Sequence, residues 1–91
     1  MIRTFRGKAL ARFWDDGDSA GIRPDLVERV RHRLTALDQA QSPADLNIPG
    51  FRLHRLHGKP VRWAIAVNGP WRITFSWIDT DVIGVDLEQY H

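Results

Sequence analysis

Between Phe51 and Gly58 the chain reads FRLHRLHG, so His54 and His57 stand among cations, with Arg55 between them and Lys59 and Arg62 just beyond. Arg72 follows in the stretch WRI, and Tyr90 and His91 are the last two residues. These types suit the cleavage of RNA by its own ribose. That reaction needs a base for the 2′-hydroxyl proton, an acid for the departing 5′-oxygen, and positive charge on the phosphate during transfer. Histidine can serve in the first two roles and arginine in the third, while tyrosine can stack on a base or orient the histidine.

Each residue also has an ordinary reading. His57 and Lys59 flank Gly58 and precede Pro60, as loop residues do; Arg72 suits a solvated strand position, and Tyr90 could close the edge of a core. His32 lies in a charged helical stretch and is assigned no role. A metal site is not expected: His54 and His57 have no acidic ligands at matching spacing, and the chain has no cysteine. No cofactor is expected either.

The formal net charge is only +2, but its distribution is uneven. From Leu46 to Ile78 there is no Asp or Glu, while the same window holds Arg52, Arg55, Lys59, Arg62 and Arg72. Acids resume at Asp79, Asp81, Asp86 and Glu88. Such a segment either forms solvated strand faces or attracts a polyanion, for which RNA phosphate is the obvious candidate.

With 91 residues, 43% of them hydrophobic, the chain suits one core and one domain over 1–91. The absence of cysteine excludes a disulfide framework. MIRTFRGKAL has no apolar stretch after its charges, and no window approaches the roughly 18 apolar residues of a membrane helix, so a soluble cytoplasmic protein is expected.

The pattern predicts an α+β fold. Ile2–Phe5 reads as a first strand and Arg6 to Trp14 as a short helix, broken by DDGDSAG. PDLVERVRHRLTALDQA, from Pro24 to about Ala40, is the clearest helix: Pro24 suits its first turn, and Leu26, Val30, Leu34 and Leu37 form one stripe. Arg29, Arg33 and Asp38 can face water. QSPADLNIPG reads as a loop, and the period then changes to two, giving strands in RLHRLHG, VRWAIAV, WRITFSW and VIGVDLEQY. A two-residue turn at Asn68-Gly69 would set Ile65 opposite Arg72. A loop from Asn68 to Pro70, or a bulge, keeps Ile65 opposite Ile73 and the apolar sets together. The sheet then has a tryptophan-rich face against the helices and a polar face bearing Arg62, Arg72, Thr74 and Ser76. Ile83, Val85 and Leu87 should point to the core, leaving Asp86, Glu88 and Tyr90 on the polar side.

Taken in order, IRTFRGKAL, RLTALDQAQSPADL, FRLHRLHG, VRWAIAVNGPWRITFSW and VDLEQYH resemble the HigB toxins of the RelE/ParE superfamily over nearly the whole chain. The resemblance implies a small RelE-like microbial ribonuclease fold, with two helices on one face of a mostly antiparallel sheet of four or five strands. It implies a ribosome-dependent, metal-independent messenger-RNA endonuclease of a type II toxin–antitoxin system, acting on the 70S ribosome. Its partner would be a helix-turn-helix antitoxin of the HigA type, the toxin being monomeric until the two assemble. Carried over residue by residue, the catalytic group is His54, Arg72, Tyr90 and His91, with Arg55, His57, Lys59 and Arg62 attracting RNA phosphate. This chain has His57 where the family commonly has Lys, Gln89 where it has Asp, and Ala66 where it often has Arg. Those departures leave room for a non-catalytic RNA, ribosome or antitoxin binder; a gyrase inhibitor of the ParE branch is the other alternative.

Overall fold

Strand alternation after Leu53 becomes a four-stranded antiparallel sheet in order β1-β2-β3-β4, with β1 at His54–Arg55, β2 at Trp63–Asn68, β3 at Trp71–Ile78 and β4 at Asp81–Gln89. The structure is a computed structural model and describes residues 1–89; Tyr90 and His91 lie outside the described residues. Helices α1 (Lys8–Asp16) and α2 (Val27–Gln39) precede the sheet.

Helix α1 buries Leu10 and Phe13 and runs two residues past the expected Trp14. It stops where Gly17 takes a left-handed conformation and returns its N–H to Phe13 at 3.0 Å, a closure that glycine makes without steric cost. The clearest helix is present with a changed start: Pro24–Leu26 winds as a 3-10 turn, and the α-helix begins at Val27. Its stripe of Leu26, Val30, Leu34 and Leu37 is buried against Phe51, Ile65, Ile73 and Phe75 from the sheet side. The expected loop contains a second 3-10 turn, Pro43–Leu46, which buries Leu46.

Of the three residues read as able to face water, Arg29 stays exposed, and Arg33 and Asp38 are half-buried fastenings. Arg33 donates to the Ala66 carbonyl at 2.9 Å and lies over the Phe51 ring, 4.8 Å from its centroid. Arg29 reaches the Val67 carbonyl at 3.5 Å, and Asp38 accepts from the Ile2 N–H at 2.9 Å. A long side chain can lay its stem over apolar surface while its head finds an acceptor, and an apolar-stripe pattern does not register this.

The strand pairing keeps Ile65 opposite Ile73, as expected. The turn itself is Gly69-Pro70, because Asn68 pairs with Trp71 and Val67 is absorbed in a bulge. A second irregularity lies between Thr74 and Ser76, where Gly84 of β4 has φ +62. The extra residue shifts the phase of β4. Val82 and Val85 are buried, and Ile83, paired with Ser76, is outside the core; this corrects the expectation that Ile83 points inward.

The same bulge explains the N-terminal segment. Ile2–Phe5 is no regular strand; it makes parallel bridges with β4 at Ile2 and Val82 and at Phe5 and Val85. Between them Gly84 N–H is taken by the Thr4 hydroxyl at 2.8 Å, so a side chain replaces the ladder where β4 bulges. The RLHRLHG strand shrinks to two residues: Phe51 is buried, Arg52 has φ 50, and the segment after β1 loops round until Leu56 N–H meets the Arg62 carbonyl at 2.8 Å.

Candidate active site

The helices cover one face of the sheet, and the chemistry-bearing residues gather on the other. Antiparallel register places His54 beside Ala64, Ala64 beside Thr74 and Thr74 beside Asp86. The neighbouring row runs Ala66, Arg72, Glu88. The two alanines keep the floor low, so longer side chains from the flanking strands fold over it.

His54 and Arg72 meet across that floor. The Arg72 guanidinium lies 2.9 Å from His54 Nε2, and His54 Nδ1 lies 3.1 Å from the Arg52 carbonyl oxygen. A carbonyl can only accept, and a guanidinium can only donate. The hydrogen-bond pattern therefore assigns the proton to Nδ1 and leaves the Nε2 lone pair facing Arg72. Arg52, whose carbonyl meets the ring two residues on, has a left-handed φ of 50.

Beside this pair is a second polar group. Arg62 donates to the Thr74 hydroxyl, the hydroxyl donates to Glu88 Oε2, and Arg62 also reaches that oxygen at 3.3 Å. Thr74 is 5% exposed, so its hydroxyl needs both bonds. A cavity of about 150 Å³ opens here, with Leu56 and Ala64 as its apolar lining and Arg62, Arg72, Thr74, Glu88 and Gln89 as its polar one.

Of the expected phosphate-binding residues, Arg62 thus shares its charge with Glu88. Arg55, His57 and Lys59 are exposed on β1 and the loop after it, at the rim, and are not drawn into the His54–Arg72 contact. Tyr90 and His91, expected with the catalytic group, lie outside the described residues. Thr74 and Glu88 were legible as polar-face residues, but not as partners of Arg62. Their link depends on a three-strand register that no single strand reveals. On the helix side, burial holds the Arg33 pKa below the ordinary arginine value, and repulsion from Arg29 lowers it further. Among the described residues, no group of three or more His, Cys, Asp or Glu is arranged to hold a metal ion. No helix among them is long and apolar enough to cross a membrane.

Two helices on one face of a small antiparallel sheet, with a histidine–arginine pair on the opposite face, are consistent with the class of RelE-like toxins. Residues 3–91 match the family described as "RelE-like toxin of type II toxin-antitoxin system HigB", and the chain belongs to that family. It is 36% identical over 92 residues to the protein of Proteus vulgaris named Endoribonuclease HigB, covering all of both chains. It is 37% identical over 93 residues to Toxin HigB-1 of Vibrio cholerae serotype O1, covering 99% of this chain and 94% of that one.

Proposed function

We propose that this chain, as one toxin domain over residues 1–91, is an endoribonuclease that cuts messenger RNA in the ribosomal A site without a metal. The observation that supports the reading is His54 held between the Arg52 carbonyl and Arg72 on the open face of the sheet. One imidazole nitrogen is fixed, and the other presents a lone pair beside a cation. When a phosphate draws Arg72 toward its oxygens, Nε2 is released to take or relay a proton.

The reaction follows from that placement. The 2′-oxygen attacks the adjacent phosphorus and its proton passes to a base. Arg72 holds the charge on the phosphoryl oxygens. The P–O5′ bond breaks as an acid protonates the leaving oxygen, giving a 2′,3′-cyclic phosphate and a 5′-hydroxyl. His54 is one proton-transfer group; the family resemblance supplies His91 as the other and Tyr90 as the base-stacking or orienting residue. Arg55, His57 and Lys59 at the rim add attraction to the backbone.

A toxin of a type II toxin–antitoxin system has an antitoxin partner. We assign this one to the helix-turn-helix HigA type, binding a toxin that is otherwise monomeric and works in the cytoplasm, where ribosomes are. Primer extension on a defined messenger in a purified translation reaction tests the nuclease reading. New 5′ ends are expected with wild type and ribosomes, and few without ribosomes or with His91→Ala. No new ends from folded, ribosome-bound wild type would replace the nuclease with a non-catalytic binder.

A further inference from the structure

The cavity beside His54 and Arg72 has the carboxylate of Glu88 in its wall alongside Arg62 and Arg72, and phosphate binding gives no reason for an acid there. Glu88 stands across from Arg72 in the β3–β4 ladder and is fixed through Oε2 by Thr74 and Arg62. Among the described residues no hydrogen bond reaches its other oxygen, Oε1. The carboxylate is thus clamped in one orientation with an acceptor left over. The cavity is small, about 150 Å³, against roughly 300 Å³ or more for sites that enclose drug-sized ligands. Its lining of Leu56, Ala64, two guanidinium groups and the polar side chains of Thr74 and Gln89 suits a single flat ring system with polar edges.

We infer that this cavity is a nucleobase subsite and that Glu88 reads the base, accepting from an exocyclic amino group and disfavouring uracil. Arg72 carries the geometric argument, because it both touches His54 and lines the cavity. A base seated there leaves its own phosphate beside the pair. Adenine, cytosine and guanine each offer an amino group to a carboxylate. Uracil offers one ring N–H between two carbonyl oxygens, and those oxygens crowd the acceptor oxygen Oε1 on either side of that N–H. Arg62 and Thr74 are positioning residues in this account: they hold Glu88 and do not themselves read the edge.

The inference rests on the nuclease reading, and one experiment separates the two. Messengers carrying each of the four bases on the 5′ side, and in a second series on the 3′ side, of the cut bond are translated with wild type, Glu88→Gln and Ala64→Val. Melting curves accompany each variant. Wild type is expected to cut about tenfold less at uracil in one of the two series, the size of one lost polar base contact. Glu88→Gln adds an amide donor and should bring uracil within about threefold of the other bases. Ala64→Val narrows the cavity and should reduce cutting beside purines more than beside pyrimidines.

Wild type that cuts all four bases alike, or a folded Glu88→Gln protein that keeps the uracil bias, would overturn the base-reading role and leave the nuclease standing. If Glu88→Gln does not fold, equal losses at purines and pyrimidines in Ala64→Val would overturn the cavity as a base site. Wild type that cuts nothing would remove the nuclease reading and this inference with it.

Discussion

Two sets of arginines bracket the sheet and differ in what they hold. On the helix side, Arg29 and Arg33 donate to main-chain carbonyls of Val67 and Ala66. On the open side, Arg62 and Arg72 reach side chains: Thr74 and Glu88 for one, His54 for the other. A main-chain carbonyl in a strand has one position and no protonation state. An imidazole, a hydroxyl or a carboxylate can rotate, titrate or exchange partners. The first pair therefore serves the fold, whereas the second can respond to a ligand.

Substitutions should divide along the same line. Arg72→Ala is expected to have the largest effect, a loss of cleavage of about 10²-fold or more, the usual result of removing a donor to developing charge. Its melting temperature should stay close to wild type; a folded Arg72→Ala protein that cleaves normally would erase the distinction. Arg33→Ala should do the opposite. Losing a charged donor to the Ala66 carbonyl should cost about 2 kcal/mol, lowering the melting temperature by roughly 4–8 °C per kcal/mol, with cleavage per folded molecule retained.

Thr74→Val is nearly isosteric and removes the hydroxyl between Arg62 and Glu88. About 1 kcal/mol of stability should be lost, and discrimination against uracil should weaken while Arg72 still contacts His54. Unchanged discrimination at all four bases would mean that Arg62 alone positions Glu88. The smallest effect is expected at Glu28→Ala, which removes the exposed ion pair with Arg31 on α2 and should change stability by less than about 0.5 kcal/mol. A cost as large as that of Arg33→Ala would show that exposed pairs matter here as much as main-chain ties.

Sequence periodicity is a good guide to faces and a poor one to phase. Leu26, Val30, Leu34 and Leu37 were legible as a core stripe because one helix carries the whole pattern. The polar face with Arg62, Arg72 and Thr74 was legible for the same reason in strands. Ile83 departs from the alternation because one left-handed glycine accompanies an extra residue in β4, and alternation counts residues without seeing a bulge. The roles of Arg33 and Asp38 are invisible to local pattern, because their acceptor and donor, Ala66 and Ile2, are distant in sequence. Of the site, the residue types of His54 and Arg72 were legible from spacing and family resemblance. Their 2.9 Å contact spans β1 and β3 and needed the register of β2 between them.

The bridges from Ile2 to Val82 and from Phe5 to Val85 have a further consequence, in the order of synthesis. Among the described elements Ile2–Phe5 is translated before all the others, yet its sheet partner β4 is translated after them. Until β4 emerges, that segment has no ladder, Val82 and Val85 are missing from the core, and the cavity lacks the wall that Glu88 provides. Loop closure over so long a separation is slow relative to local helix formation. Assembly of the open face is thereby a late, non-local step of folding, since it waits for the pairing of the two described segments farthest apart in sequence.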